Sequence, residues 1–283
     1  MLSFPVINLI LPNDSTRLEL NTPLGPWIVE KSADSDHFKA EITTKSGLVA
    51  ETYFLENQVS HQGDAPRAEA AFEELTPILL SLSYALGHAV SIRRSTPISD
   101  VMIVQPSQHW PRPRGIHDPA PIVASDCDLA TLVERAATSW PTASATYKTT
   151  LLIHHWLDAL SCWSLEDLYL SATTLLQIVA ATEERDQGVT NLGFMKAVNE
   201  AASRFGLPAL SADFKNMRND LIHDGHLSGS RFANKSREEC AEVAADVLNW
   251  IDQYVIAVLR LGPISQVRFK RTDLYGLNSF SMD

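Results

Sequence analysis

Pro106–Asp128, PSQHWPRPRGIHDPAPIVASDCD, divides this 283-residue chain into two parts of different composition. Pro106, Pro111, Pro113, Pro119 and Pro121 fall within sixteen residues, beside Gly115. Proline fixes φ and has no N–H to donate, so such a run belongs neither in a helix interior nor in a central strand. The spacing predicts a linker or a long extended connection over residues 106–128.

Upstream, short apolar and β-branched runs alternate with turn residues. Strands are expected at Val6–Leu11, Trp27–Glu30, Phe38–Thr44 and Leu48–Leu55, separated by Pro12–Ser15, Pro23–Pro26 and Ser46–Gly47. An alanine- and leucine-rich helix follows over Ala65–Gly87, with Pro77 as a kink, then closing strands at Ala89–Arg94 and Asp100–Val104. The expectation for residues 1–105 is a β-rich α+β domain. Downstream, the 3.6-residue period dominates. Helices are expected at Leu129–Trp140, Ala145–Ser161, Leu165–Glu184, Leu192–Phe205, Ala212–His223 and Arg237–Leu261. Ser164 with Asp167 and Ser236 with Glu239 have capping-box spacing, while Gly206, Gly225 and Gly262–Pro263 are stops. Residues 129–262 therefore read as an all-α bundle, and residues 263–283 as a C-terminal tail.

Composition narrows the class. With 45% hydrophobic and 20% charged residues the chain can bury a core. It has no apolar run of the ~18–20 residues that span a bilayer. MLSFPVINLILPND lacks a basic n-region and is interrupted by Pro5 and Pro12, which speaks against a signal peptide. Cys127, Cys162 and Cys240 are odd in number and widely spaced, without a CxxC, as expected for a reducing cytoplasm. The net charge of −11 disfavours nucleic acid at first sight. Residues 204–283, however, carry ten basic and ten acidic side chains, so all the excess acid lies upstream. An RNA ligand would meet the last third of the chain.

The common catalytic signatures are missing. Gly188–Gly193 has P-loop spacing but is followed by Phe194, not by Lys–Ser/Thr. There is no GxSxG, HExxH or dinucleotide fingerprint. His154 and His155 are adjacent on a helix and point to different faces. His223 and His226 lack further ligands nearby, so neither a metal nor a cofactor is expected.

FKNMRNDLIHDG, Phe214–Gly225, holds Arg218, Asn219 and His223. With fifteen arginines and nine histidines, about half an Arg-x4-His arises by accident. A second copy, Arg112 and His117, lies in the proline-rich stretch, where no helix holds it. The first copy lies on the penultimate helix, with Asn219 and His223 one turn apart on one face. Arg218 and His223 are about 140° apart around that helix, so two helices meeting across a symmetric interface are needed to gather them. The bland alternative is a histidine on the helix dipole and an arginine on a solvated face.

This RNxxxH resembles the R-x4-6-H motif of HEPN domains, with the polar residue that the family favours after the arginine. The order of parts, a β-rich domain, the passage LLSLSYALGHAVSIRR at Leu79–Arg94 and a helical C-terminal domain, is similar to that of ApeA-type HEPN proteins of bacterial defence. The resemblance implies a HEPN-like bundle acting as a homodimeric, metal-independent endoribonuclease in antiviral defence or as a toxin. RNA, with tRNA among the candidates, would be the partner, alongside an unidentified activator or antitoxin and no membrane. His223 would move protons, Arg218 would hold phosphate and Asn219 would bind phosphate or orient the imidazole. Lys215, Arg231, Lys235 and Arg237 flank the motif and are the expected RNA-backbone contacts. The rival expectation is a non-catalytic HEPN dimerisation or binding module. A third makes the β-rich domain a ligand or protein sensor on a helical scaffold.

Overall fold

The computed structural model describes residues 2–45, 47–58, 65–92, 109–116, 119–189 and 191–282. The chain forms two compact units, Met1–Pro141 with Arg260–Gln266, and Thr142–Leu259 with Val267–Asp283.

The first unit carries a five-stranded antiparallel sheet, β1 (Leu2–Ile7), β2 (Arg17–Thr22), β3 (Gly25–Lys31), β4 (Glu51–Asn57) and β5 (Ser91–Ile92), in the order β2-β3-β4-β1-β5. Phe4, Val6, Leu20, Trp27, Val29 and Leu55 are buried. Helix α2 (Ala65–Leu86) runs through Pro77, and its Glu74 accepts from Trp27 Nε1 and Thr22 Oγ1, both at 2.7 Å. A carboxylate with two side-chain donors is the tolerable way to bury a charge at this junction.

Two strand expectations need correction here, and one strand was missed. Phe38–Thr44 is not a strand but lies in helix α1 (Ser35–Thr44). Phe38 and Ile42 share a face one turn apart, half-buried and buried, while the Thr43 and Thr44 hydroxyls donate to the Lys39 and Ala40 carbonyls. Those back-bonds give the β-branched pair a helical alternative to a sheet. The strand expected at Val6–Leu11 ends at Ile7, because Asn8 turns to φ 61°. The edge strand β2 was not expected, since RLELNT alternates over only two leucines. The strand expected at Asp100–Val104 lies outside the described residues.

The proline-rich stretch is no linker in its described parts. Trp110, Ile122 and Val123 are buried. Asn8 Nδ2 donates to the Arg114 carbonyl at 2.7 Å, Ser91 Oγ to that of Pro111 at 2.5 Å and Ile122 N–H to that of Ala85 at 2.8 Å. A Cβ on Gly87 (φ 74°) would meet the Ala120 carbonyl oxygen at 2.4 Å, so this crossing admits only glycine. The prolines lack donors, and neighbouring carbonyls serve as acceptors instead. The boundary between units falls at Pro141–Thr142, inside α3 (Asp126–Tyr147), not at residues 106–128.

The second unit is helical: the end of α3, then α4 (Thr149–Ala159), α5 (Leu165–Gln187), α6 (Phe194–Phe205), α7 (Ala212–Asp224) and α8 (Arg237–Val258). An antiparallel sheet followed by helices is the expected class, in that order. Helix α5 packs on α4, α6, α7 and α8 and presents Leu168, Tyr169, Leu175, Leu176 and Val179 to the core. Ser164 accepts from the Asp167 N–H, and Ser236 with Glu239 forms a complete capping box. Gly206 and Gly225 end α6 and α7 in the left-handed conformation.

Residues 263–283 are not a free tail. Residues 260–266 belong to the first unit, and from Val267 the chain packs into the second. There Arg268 is buried against Asp252, with Nε to Oδ2 at 2.9 Å. Glu166 Oε1 accepts from the Ser279 and Ser281 hydroxyls at 2.6 and 2.8 Å. Among the described residues no helix is long and apolar enough to cross a membrane.

Candidate functional site

Helix α7 begins at the N-cap Ser211, whose hydroxyl accepts from the Phe214 N–H at 3.4 Å. Phe214, Met217 and Asp220, three residues apart, form its buried face. Tyr169 of α5 donates its hydroxyl to the Phe214 carbonyl at 2.7 Å, and burial pushes the Tyr169 phenol well above its ordinary value. This bond fixes α7 on α5 one turn before the motif.

Arg218 and Asn219 lie at the edge of that face, half-buried. Arg218 Nη1 donates to Asn219 Oδ1 at 3.3 Å. The Arg218 guanidinium carbon sits 4.8 Å from the centre of the Phe194 ring, and Nε is buried with no hydrogen-bond partner among the described residues. His223 stands exposed in the last helical turn. Within one chain the structure thus joins Arg218 to Asn219 and leaves His223 exposed one turn beyond Asn219, about 140° around the helix from Arg218. A cation held by a neutral amide and an aromatic face keeps its charge available to an anion.

The flanking basic residues are mostly engaged within the unit. Arg231 pairs with Asp220 at 3.3 Å and Asp224 at 3.4 Å, and Lys235 pairs with Glu239 at 2.9 Å. Arg237 donates to the Tyr275 carbonyl at 3.3 Å. Lys215 is exposed. A cleft of about 620 Å³ opens where α8 begins, lined by Ser228, Lys235, Ser236 and Arg237 together with Ser281 and Met282. Glu238 also lines it, so its charge is mixed.

Sequence reasoning missed Asp220. Its carboxylate is fully buried and accepts from the Gly229, Arg231 and Phe232 N–H groups at 3.0, 3.0 and 2.6 Å. Burial alone would raise its pKa, but the Phe232 and Arg231 N–H groups, the Arg231 side chain and the Gly229 N–H bring it below the usual carboxylate value. Asp220 thereby holds the loop that follows the motif helix. The available signal was an acid at the third position of the Phe214–Met217 stripe, where burial demands partners. No group of three or more His, Cys, Asp or Glu side chains arranged to hold a metal occurs among the described residues. Of the decoy pair, Arg112 lies in the first unit and His117 is outside the described residues.

No protein-family model, curated protein or solved structure matches this chain. The functional reading therefore rests on α7 and its surroundings.

Proposed function

We propose that the helical unit is a HEPN-type, metal-independent endoribonuclease that acts as a homodimer, with Arg218, Asn219 and His223 as its catalytic set. The observation that carries this reading is that, among the described residues, Arg218 hydrogen-bonds to a neutral amide and to no carboxylate, on a capped helix that exposes a histidine one turn later.

The chemistry suits these residues. RNA supplies its own nucleophile, the 2′-OH, so the protein needs only to move protons and offset charge. His223 takes the 2′-OH proton as oxygen attacks phosphorus and returns it to the departing 5′ oxygen. Arg218 opposes the charge growing on the non-bridging oxygens. Asn219 holds Arg218 and offers its amide N–H groups to phosphate. Two copies are required because Arg218 and His223 diverge around a single helix. The products are a 2′,3′-cyclic phosphate and a 5′-hydroxyl.

Purified protein incubated with tRNA and other RNAs in EDTA tests this reading. Cleavage that survives chelation and leaves cyclic-phosphate ends is the expected result. A strict magnesium requirement, or 3′-hydroxyl ends, contradicts it. Dimerisation with no cleavage by either wild type or variants would leave the helical unit as a binding module.

A further inference from the structure

We propose that Phe194 is the positioning residue that aims the Arg218 guanidinium, an inference that rests on the reading of Arg218 as the phosphate-holding group. Phe194 is the residue that spoils the P-loop likeness of Gly188–Gly193, and its place in the fold gives that segment a different purpose. Gly188 closes α5 at φ 64°, and Gly193 caps α6 at φ 88° with open space around its Cβ. The glycines are there for backbone conformation. The turn is tied down where the Leu192 N–H donates to Glu184 Oε1 at 2.9 Å. Its outcome is Phe194 at the first position of α6, facing α7.

From there an aromatic column runs outward from the core. Tyr169 and Phe214 are fully buried with ring centres 5.5 Å apart, Phe214 and Phe194 are 6.0 Å apart, and Phe194 is half-buried under Arg218 at 4.8 Å. The column transmits the rigidity of the core to the end of a side chain that is otherwise flexible. A ring face attracts a guanidinium without neutralising it, which a carboxylate in the same place would do. It also shields Nε from water, consistent with that atom being buried and unpartnered. The arrangement leaves the far edge of the guanidinium, beyond the Asn219 contact, for phosphate.

The test combines a spectroscopic arm with a kinetic one. In wild-type protein the Arg218 Hε resonance, assigned by its loss in Arg218→Lys, is expected to be displaced from those of the other arginines by the Phe194 ring current. Phe194→Leu should return it toward them, and Phe194→Tyr should keep it displaced. For RNA cleavage, Phe194→Leu should lower kcat about three- to tenfold with KM little changed, and Phe194→Tyr should restore it. An undisplaced Arg218 resonance in wild type overturns the proposal without recourse to any variant. So does full activity in a Phe194→Leu protein when Arg218→Ala is inert, a result that leaves the nuclease reading standing. If wild type cuts no RNA, the nuclease reading fails, and the proposed role in aiming a phosphate-holding group fails with it, even where the resonance shows the ring in place.

Discussion

Among the described residues, two arginines of the helical unit lie over aromatic rings, and one of them is neutralised by a carboxylate. Arg268 sits 5.4 Å from the centre of the Trp156 ring, fully buried, and grips Asp252 through Nε at 2.9 Å and Nη2 at 3.3 Å. Arg218 sits over Phe194, half-buried, with Asn219 as its hydrogen-bond partner. The ring fixes the side chain in both cases, and the second partner decides what remains of the charge. Arg268 closes a buried ion pair that holds the C-terminal segment on α8. Arg218 keeps a positive edge with a neutral amide beside it, which is the arrangement expected of an anion-binding group.

The widest separation between the two should appear on substitution. Arg218→Ala is expected to lower RNA cleavage about 10²- to 10³-fold, equivalent to roughly 3–4 kcal/mol of transition-state stabilisation, while thermal melting moves little. Arg268→Ala should do the reverse. Asp252 would be left buried without its counter-charge, at a cost of about 3–5 kcal/mol, seen as a lower urea midpoint with the folded fraction still active. If Arg268→Ala melts normally, or Arg218→Ala unfolds the unit, the contrast between them breaks.

Asp220 sharpens the contrast at a smaller scale, as an acid that serves backbone rather than an arginine. Asp220→Ala would strand the N–H groups of Gly229, Arg231 and Phe232, with an expected loss of about 2 kcal/mol. Because its folded pKa is depressed, its stabilisation is present at neutral pH and is lost as pH falls below about 4, through the depressed value. Denaturant midpoints measured against pH should therefore decline more steeply on the acid side in wild type than in Asp220→Asn. Equal slopes would remove Asp220 as the anchor of this loop. The smallest effect belongs to the decoy. Arg112→Ala changes a side chain that shares the motif spacing without its helix, and should leave cleavage unchanged; a loss as large as that of Arg218→Ala would contradict the choice of α7.

Legibility followed the strength of local signals. The helical unit was readable because its caps are written in the sequence: Ser164 with Asp167, Ser236 with Glu239, and glycines after α6 and α7. In the first unit the same reasoning failed where local chemistry was ambiguous. Ile42, Thr43 and Thr44 favour strand by type, yet Phe38–Ile42 spacing and threonine back-bonds let them form α1. Prolines at 111–121 signalled a linker, but Trp110, Ile122 and Val123 supply buried area that composition alone does not weigh. Arg218, Asn219 and His223 were singled out by their helix and by the HEPN resemblance, since the spacing alone recurs at Arg112 and His117. Asp220 and Phe194 were not, because their importance depends on which loop and which helix face them.

Mixing two inactive variants asks whether Arg218 and His223 from different copies build one site. Purified Arg218→Ala and His223→Ala proteins, each confirmed folded and dimeric, would be assayed on RNA alone and after subunit exchange. Negligible cleavage by either alone and partial recovery in the mixture are expected, because a mixed dimer holds one intact pair across its interface. Undiminished cleavage by either variant on its own would contradict the assignment of the site to α7.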